Sequence, residues 1–190
     1  MPPETWTEDR LVRECLQGSD QAWSALVDRY QNLVYSIPLK HGITGDEASD
    51  IFQAVFFELL SHLGSLRNPK ALPMWLIKTA SHKCLHYRKV QGRFTSLATL
   101  AVDPTEIEDP ASGALGKEAL AEWERERKVT GAMADLPERC RKLVEMLFYE
   151  TPARPYEQVA KDLGLAIGSI GFIRARCLEK LRRSLDKAGL

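Results

Sequence analysis

The sequence predicts an all-α protein: two small helical domains joined by a flexible acidic linker, the second containing a helix-turn-helix. Three observations point there. Apolar residues recur at helical spacings through most of the 190 residues, with almost no alternating run that would read as a strand. Start and stop residues bracket those runs. Between residues 94 and 116 the composition shifts to Thr, Ser, Pro, Asp and Gly around DPTEIEDPASG, which is linker chemistry. The domains are therefore expected at 1–93 and 117–190.

In the first domain, Thr5 with Glu8 forms a capping-box pattern before a short helix bearing Leu11, Cys15 and Leu16, ended by Gly18. Asp20 opens a long helix with Leu26, Tyr30, Leu33, Val34 and Ile37 on one face, stopped at Gly42. A second capping-box pattern, Thr44 with Glu47, opens a helix carrying Ile51, Val55, Phe56, Leu59 and Leu63. A fourth helix begins near Pro69 and places Leu72, Leu76, Ala80, Cys84 and Tyr87 along a core-facing stripe. After the linker, helices are expected near Lys117 and after Pro137, followed by two more toward the C-terminus.

Composition bounds the function classes. Twenty-six basic residues balance twenty-six acidic ones, which argues against coating nucleic acid by charge alone. The distribution is uneven: residues 1–93 carry net +1, 94–135 net −5 and 136–190 net +4. No apolar run approaches the roughly 18 residues that cross a bilayer, so a soluble cytoplasmic protein without membrane insertion is expected. Cys15, Cys84, Cys140 and Cys177 form no C-x-x-C pair and sit in helical patterns. They read as small core hydrophobes without disulfides.

The segment YEQVAKDLGLAIGSIGFIRARCLEKLRR carries the sharpest signal. Val159 and Leu163 face inward, Ala160 permits a close helix approach, and Gly164 supplies a positive-φ helix end. The next helix sets Ile167, Ile170, Ile173, Cys177, Leu181 and Leu185 on one side and Ser169, Phe172, Arg176, Lys180 and Arg183 on the other. Two short helices with a glycine turn and a basic outer stripe form a helix-turn-helix, whose second helix suits the major groove of DNA. Arg174 points toward the apolar flank, within reach of a phosphate or an acidic partner. A merely solvated charged face is the competing reading.

These residues, together with LPERCRKLVEMLFYE before them, resemble region 4 of the extracytoplasmic-function (ECF) sigma factors, promoter-recognition subunits of bacterial RNA polymerase within the sigma-70 superfamily. SDQAWSALVDRYQNLVYSI, DIFQAVFFELL and PMWLIKTASHKCLHYRK resemble region 2 of the same family. The resemblance implies that Asp50, Gln53 and Phe56 dock on the polymerase. It implies that the helix from about 70 to 92 captures melted minus-ten DNA, with Lys78, His82, Lys83, His86, Tyr87, Arg88 and Lys89 on the strand and Arg67 and Asn68 at a flipped-base pocket. Aromatic rings stack on unpaired bases and cations hold phosphates, which is the chemistry that task needs. Trp75 in that helix reads as packed. His82 stands where the family usually has asparagine, a departure that leaves the base preferred there open. The minus-thirty-five duplex would meet Ser169, Phe172, Arg174, Arg176, Lys180 and Arg183. The implied partners are the polymerase core, promoter DNA and, in some members, an anti-sigma factor; no cofactor is implied. The acidic linker would thread the polymerase.

Two other classes compete. The segment 82-HKCLH-86 places two imidazoles four apart, a spacing open to a metal-binding enzyme, but it lacks the glutamate of HExxH and a third ligand, so no metal or catalytic residue is assigned. A freestanding helix-turn-helix regulator would have to hold duplex unaided, and the charge balance opposes that.

Overall fold

The computed structural model describes residues 6–66, 68–95, 110–152 and 154–190. Among them every regular element is helical: α1 (Glu8–Leu16), α2 (Asp20–Lys40), α3 (Asp46–His62), α4 (Leu72–Thr95), α5 (Pro110–Ala134), α6 (Glu138–Phe148), α7 (Tyr156–Asp162) and α8 (Ile170–Lys187). Single 3-10 turns lie at Leu63–Ser65, Pro69–Ala71 and Ile167–Ser169. The chain divides into two units, Met1–Trp123 and Glu124–Leu190.

In the first unit α2 is the central helix, packed against α1, α3 and α4. Its expected face, Leu26, Tyr30, Leu33, Val34 and Ile37, is buried, and so is the α4 stripe of Leu72, Leu76, Ala80 and Cys84. The caps differ from expectation. α1 is capped by Thr7, whose hydroxyl accepts from the Arg10 amide at 3.3 Å, rather than by Thr5. α2, by contrast, opens at Asp20 as expected, with Ser19 as its cap. α3 begins after Gly45 at φ +67°, with no side-chain cap, rather than at Thr44. A β-branched threonine resists that left-handed backbone, and glycine does not.

The expected linker and second boundary are also revised. Residues 96–109 lie outside the described set, but from Pro110 the chain is helical, and α5 runs past the expected start at 117. The reason is packing. Ala119 and Trp123 are buried in the core of the first unit. The Trp123 indole stacks on Tyr30 at 5.2 Å and donates through Nε1 to the Arg29 carbonyl at 3.1 Å. Gly116 lies so close to Ile77 that an added Cβ would sit 2.8 Å from its Cγ2. Lys40 pairs with Glu118 at 3.7 Å and Glu122 at 3.2 Å. The first half of α5 therefore belongs to the first unit.

The second unit encloses a smaller core of Met133, Leu136, Cys140, Leu143, Val144, Val159, Ala160, Ile170 and Cys177. Gly164 ends α7 at φ +60°, and the Leu165 amide reaches back to the Ala160 carbonyl at 2.8 Å, closing the helix end. Two expectations fail here. Ile167, placed on the inner side, is 54% exposed because it lies in the 3-10 turn before α8 and is out of phase with that helix. Cys140 and Cys177 are joined as a disulfide although no disulfide was expected. They are 37 residues apart and meet only because α6 packs on α8, with Cα atoms 5.2 Å apart. No short-range motif announces such a pair.

Candidate functional site

The first unit presents two surfaces. On α3, Asp50 and Gln53 are exposed, whereas Phe56 is half-buried against the core and against Phe52, ring centres 4.9 Å apart. Gln53 and Phe52 also line an open groove of about 580 Å³ between α3 and α2, whose other wall is Gln31, Asn32, Tyr35 and Leu39. Tyr35 meets Phe52 edge-on at 6.2 Å. This groove, apolar at its base and amide-rimmed, is the extended feature beside the D-x-x-Q-x-x-F residues. Its α2 wall was absent from the sequence reading because Tyr35 and Leu39 flank the buried face of α2 rather than belong to it. Phe57 and Leu60, 68% and 58% exposed, follow Gln53 at i+4 and i+7 along the same exposed side of α3. Their signal was present in the sequence: they fall off the Ile51–Val55–Leu59 stripe.

The second surface is α4. Helical geometry puts Lys78, His82, His86 and Lys89 on its outer side, with the half-buried Trp75 one turn before. Both imidazoles are exposed, and Cys84 between them is buried on the other side. The remaining predicted residues stand apart from this line. Tyr87 packs against the core, its hydroxyl accepting from Gln91 Nε2 at 3.1 Å. Lys83 is held at 2.6 Å by Glu58 of α3, and Arg88 projects from the other flank. Trp75 is packed, as expected, with His62 6.4 Å from its ring centre. Asn68 is exposed and its Oδ1 accepts from the Lys70 amide at 3.0 Å, so its oxygen organises the turn. Arg67 and linker residues Asp103, Glu106, Glu108 and Asp109 lie outside the described residues. Among the described residues no group of three or more His, Cys, Asp or Glu side chains gathers in metal-binding geometry.

In the second unit α8 carries the basic stripe. Phe172 is 67% exposed, and the Arg176 guanidinium lies over its ring at 5.7 Å. An exposed cation–aromatic pair offers one surface for an apolar methyl and a phosphate or base edge together. Ser169, at the start of α8, spends its hydroxyl on the Ala166 carbonyl at 2.7 Å. Arg174 turns to α7 and donates from Nη1 to the Tyr156 hydroxyl at 2.6 Å. Arg183 pairs with Glu179 at 3.1 Å, whereas Lys180 has no carboxylate within 4.0 Å among the described residues. Phe172, Arg176 and Lys180 are thus the available members of the predicted set.

Comparison with known proteins covers both units. The family described as Sigma-70 region 2 matches residues 26–94. The ECF RNA polymerase sigma-E factor of Escherichia coli (strain K12) is 28% identical over 173 residues, 88% of this chain and 88% of that protein. The protein of the same description from Salmonella typhimurium (strain LT2) gives the same identity and coverage. That from Haemophilus influenzae (strain Rd) is 24% identical over 187 residues, 96% of this chain and 97% of its own.

Proposed function

This chain belongs to the ECF group of the sigma-70 family, and from that premise we infer that it is an RNA polymerase sigma factor, directing the core enzyme to chosen promoters and starting transcription there. The observation that carries this reading is that similarity extends over 88% to 96% of the chain and so takes in both units. A freestanding regulator would use the second unit and leave the first without a task.

The first unit docks on the polymerase through α3, with Gln53 as a polar contact at the mouth of the α2–α3 groove and the exposed Asp50 a second one a turn earlier. Phe56 supports that surface from beneath. The outer line of α4 meets the opened minus-ten strand. Lys78 and Lys89 hold phosphates, and His82 and His86 present rings that stack on a base or hydrogen-bond its edge. On α8, Phe172, Arg176 and Lys180 face the minus-thirty-five duplex, and Arg174 positions α8 against α7 through Tyr156. No step of bond chemistry belongs to the chain itself. The working compartment follows as the bacterial cytoplasm. No helix among the described residues is long and apolar enough to cross a membrane.

The test is run-off transcription with purified core polymerase on fragmented genomic DNA, with the transcripts sequenced. The expected result is a discrete set of start sites that requires both the chain and the core. Sequence-specific duplex binding by the chain alone, unaffected by core polymerase, would overturn the reading in favour of a freestanding regulator.

A further inference from the structure

We propose that Cys140 and Cys177 form a reversible thiol–disulfide switch that sets how firmly the basic helix α8 is held, and through it the grip of the second unit on promoter duplex. The DNA half of this proposal, and the reducing compartment invoked for reversibility, rest on the sigma-factor reading; the crosslink itself does not.

Four observations converge. The pair ties α6 to α8 across 37 residues, so its loop encloses all of α7 and the turn that aims α8. Among the described residues it sits in a core of nine buried residues, against twenty-three in the first unit. A core that small draws a larger share of its stability from one covalent link, because the link removes loop-closure entropy from the unfolded chain. The other cysteines are built differently. Cys15 and Cys84 are buried apart from any partner, and burial pushes their thiols up to about 11 and about 12, so both stay protonated and unreactive. Finally, a polymerase subunit works where cellular reductants keep thiols reduced, and a disulfide found there is typically transient and redox-sensing.

The chemistry is exchange. A thiolate of a small dithiol attacks one sulfur of the pair, with Cys140 the more accessible at 8% exposure against 2% for Cys177. The protein S–S bond breaks as a mixed disulfide forms, and the displaced cysteine thiolate takes up the proton the attacking thiol lost. The second thiol of the reductant then displaces the other cysteine. The protein gains two electrons and two protons as two thiols, and the reductant leaves as a cyclic disulfide. Closure is the reverse reaction, with a low-molecular-weight disulfide as the oxidant, leaving as two thiols.

The test uses the full chain in oxidising buffer, in excess dithiothreitol, and as the Cys140→Ser/Cys177→Ser double variant. Alkylation after denaturation should count two free thiols in the first state and four in the second, out of the four cysteines present. Reduction should lower the melting midpoint of the second unit by about 10 °C and leave the first unchanged. Core-dependent binding to a promoter found by run-off transcription should weaken by about threefold or more on reduction and return on reoxidation. Chemical reduction of the wild-type chain keeps the test independent of whether the double variant folds. Four free thiols in every buffer, or identical melting in both states, would overturn the switch. Matching promoter affinity in both states despite a shifted midpoint would overturn its effect on DNA. No core-dependent binding in either state would instead overturn the sigma reading, and the control of DNA with it, while the thiol count and melting shift would still decide the crosslink.

Discussion

Trp123 shows how one side chain can decide where a domain ends. Its indole is 5% exposed, stacked on the fully buried Tyr30, and its Nε1–H has the Arg29 carbonyl as acceptor. Removing the ring opens a large cavity and exposes the face of α2 that it covers. Trp123→Ala should therefore destabilise the first unit by about 3–5 kcal/mol. Trp123→Phe retains most of the apolar contact and the stacking but leaves the carbonyl without that donor, a smaller loss of about 1–2 kcal/mol. Urea denaturation followed by circular dichroism separates the two. Equal, negligible losses would mean that α5 does not rely on Trp123 to dock. The sequence reading missed this role because tryptophan in EALAEWERERK looks like one apolar residue in a charged helix. The partner that buries it lies about ninety positions earlier, where helical periodicity cannot see it.

At the scale of elements, what was legible follows from how far each signal reaches. The stripes on α2 and α4 and the glycine that ends α7 are local, and the structure carries them as expected. The outer line of α4 was legible too, because an exposed helical face is the complement of a buried one. Features that need a second element were not: the Cys140–Cys177 link across α6 and α8, the Lys83–Glu58 pair that removes Lys83 from the α4 line, and the docking of α5. Two glycines of α5 test the distinction. Gly131 has nothing within 4 Å of an added Cβ, so Gly131→Ala should gain helix propensity and stabilise the second unit by up to about 1 kcal/mol. At Gly116 the same methyl would meet the buried Ile77 at 2.8 Å, and overpacking of about 1–3 kcal/mol outweighs the propensity gain. Opposite signs in chemical denaturation are expected. A stabilising Gly116→Ala would show that α5 does not press on α4.

Over the whole molecule, charge is the quantity that separates a subunit from a solitary DNA binder. The chain is formally neutral, and the unit Glu124–Leu190 carries 14 basic against 10 acidic residues. Several of those basic side chains are already engaged: Arg182 and Arg183 with Glu179, Arg154 with Glu150 and Asp162, and Arg174 with Tyr156. On α8 this leaves Arg176 and Lys180 as the cations best placed to displace counterions from a duplex. Each phosphate neutralised contributes about 0.9 to the slope of log affinity against log salt, so duplex binding by the isolated chain should be weak, with a slope of only about −2 to −4. Fluorescence anisotropy over a roughly fourfold range of salt reads that slope. A slope steeper than about −6 would mean that the paired arginines release their carboxylates to reach phosphates, and that the second unit holds DNA unaided. A shallow slope would be the physical counterpart of the proposed requirement for polymerase. On the proposed reading, tight promoter binding would then draw on contacts made elsewhere in a larger assembly, and α8 would discriminate between sequences rather than supply the affinity.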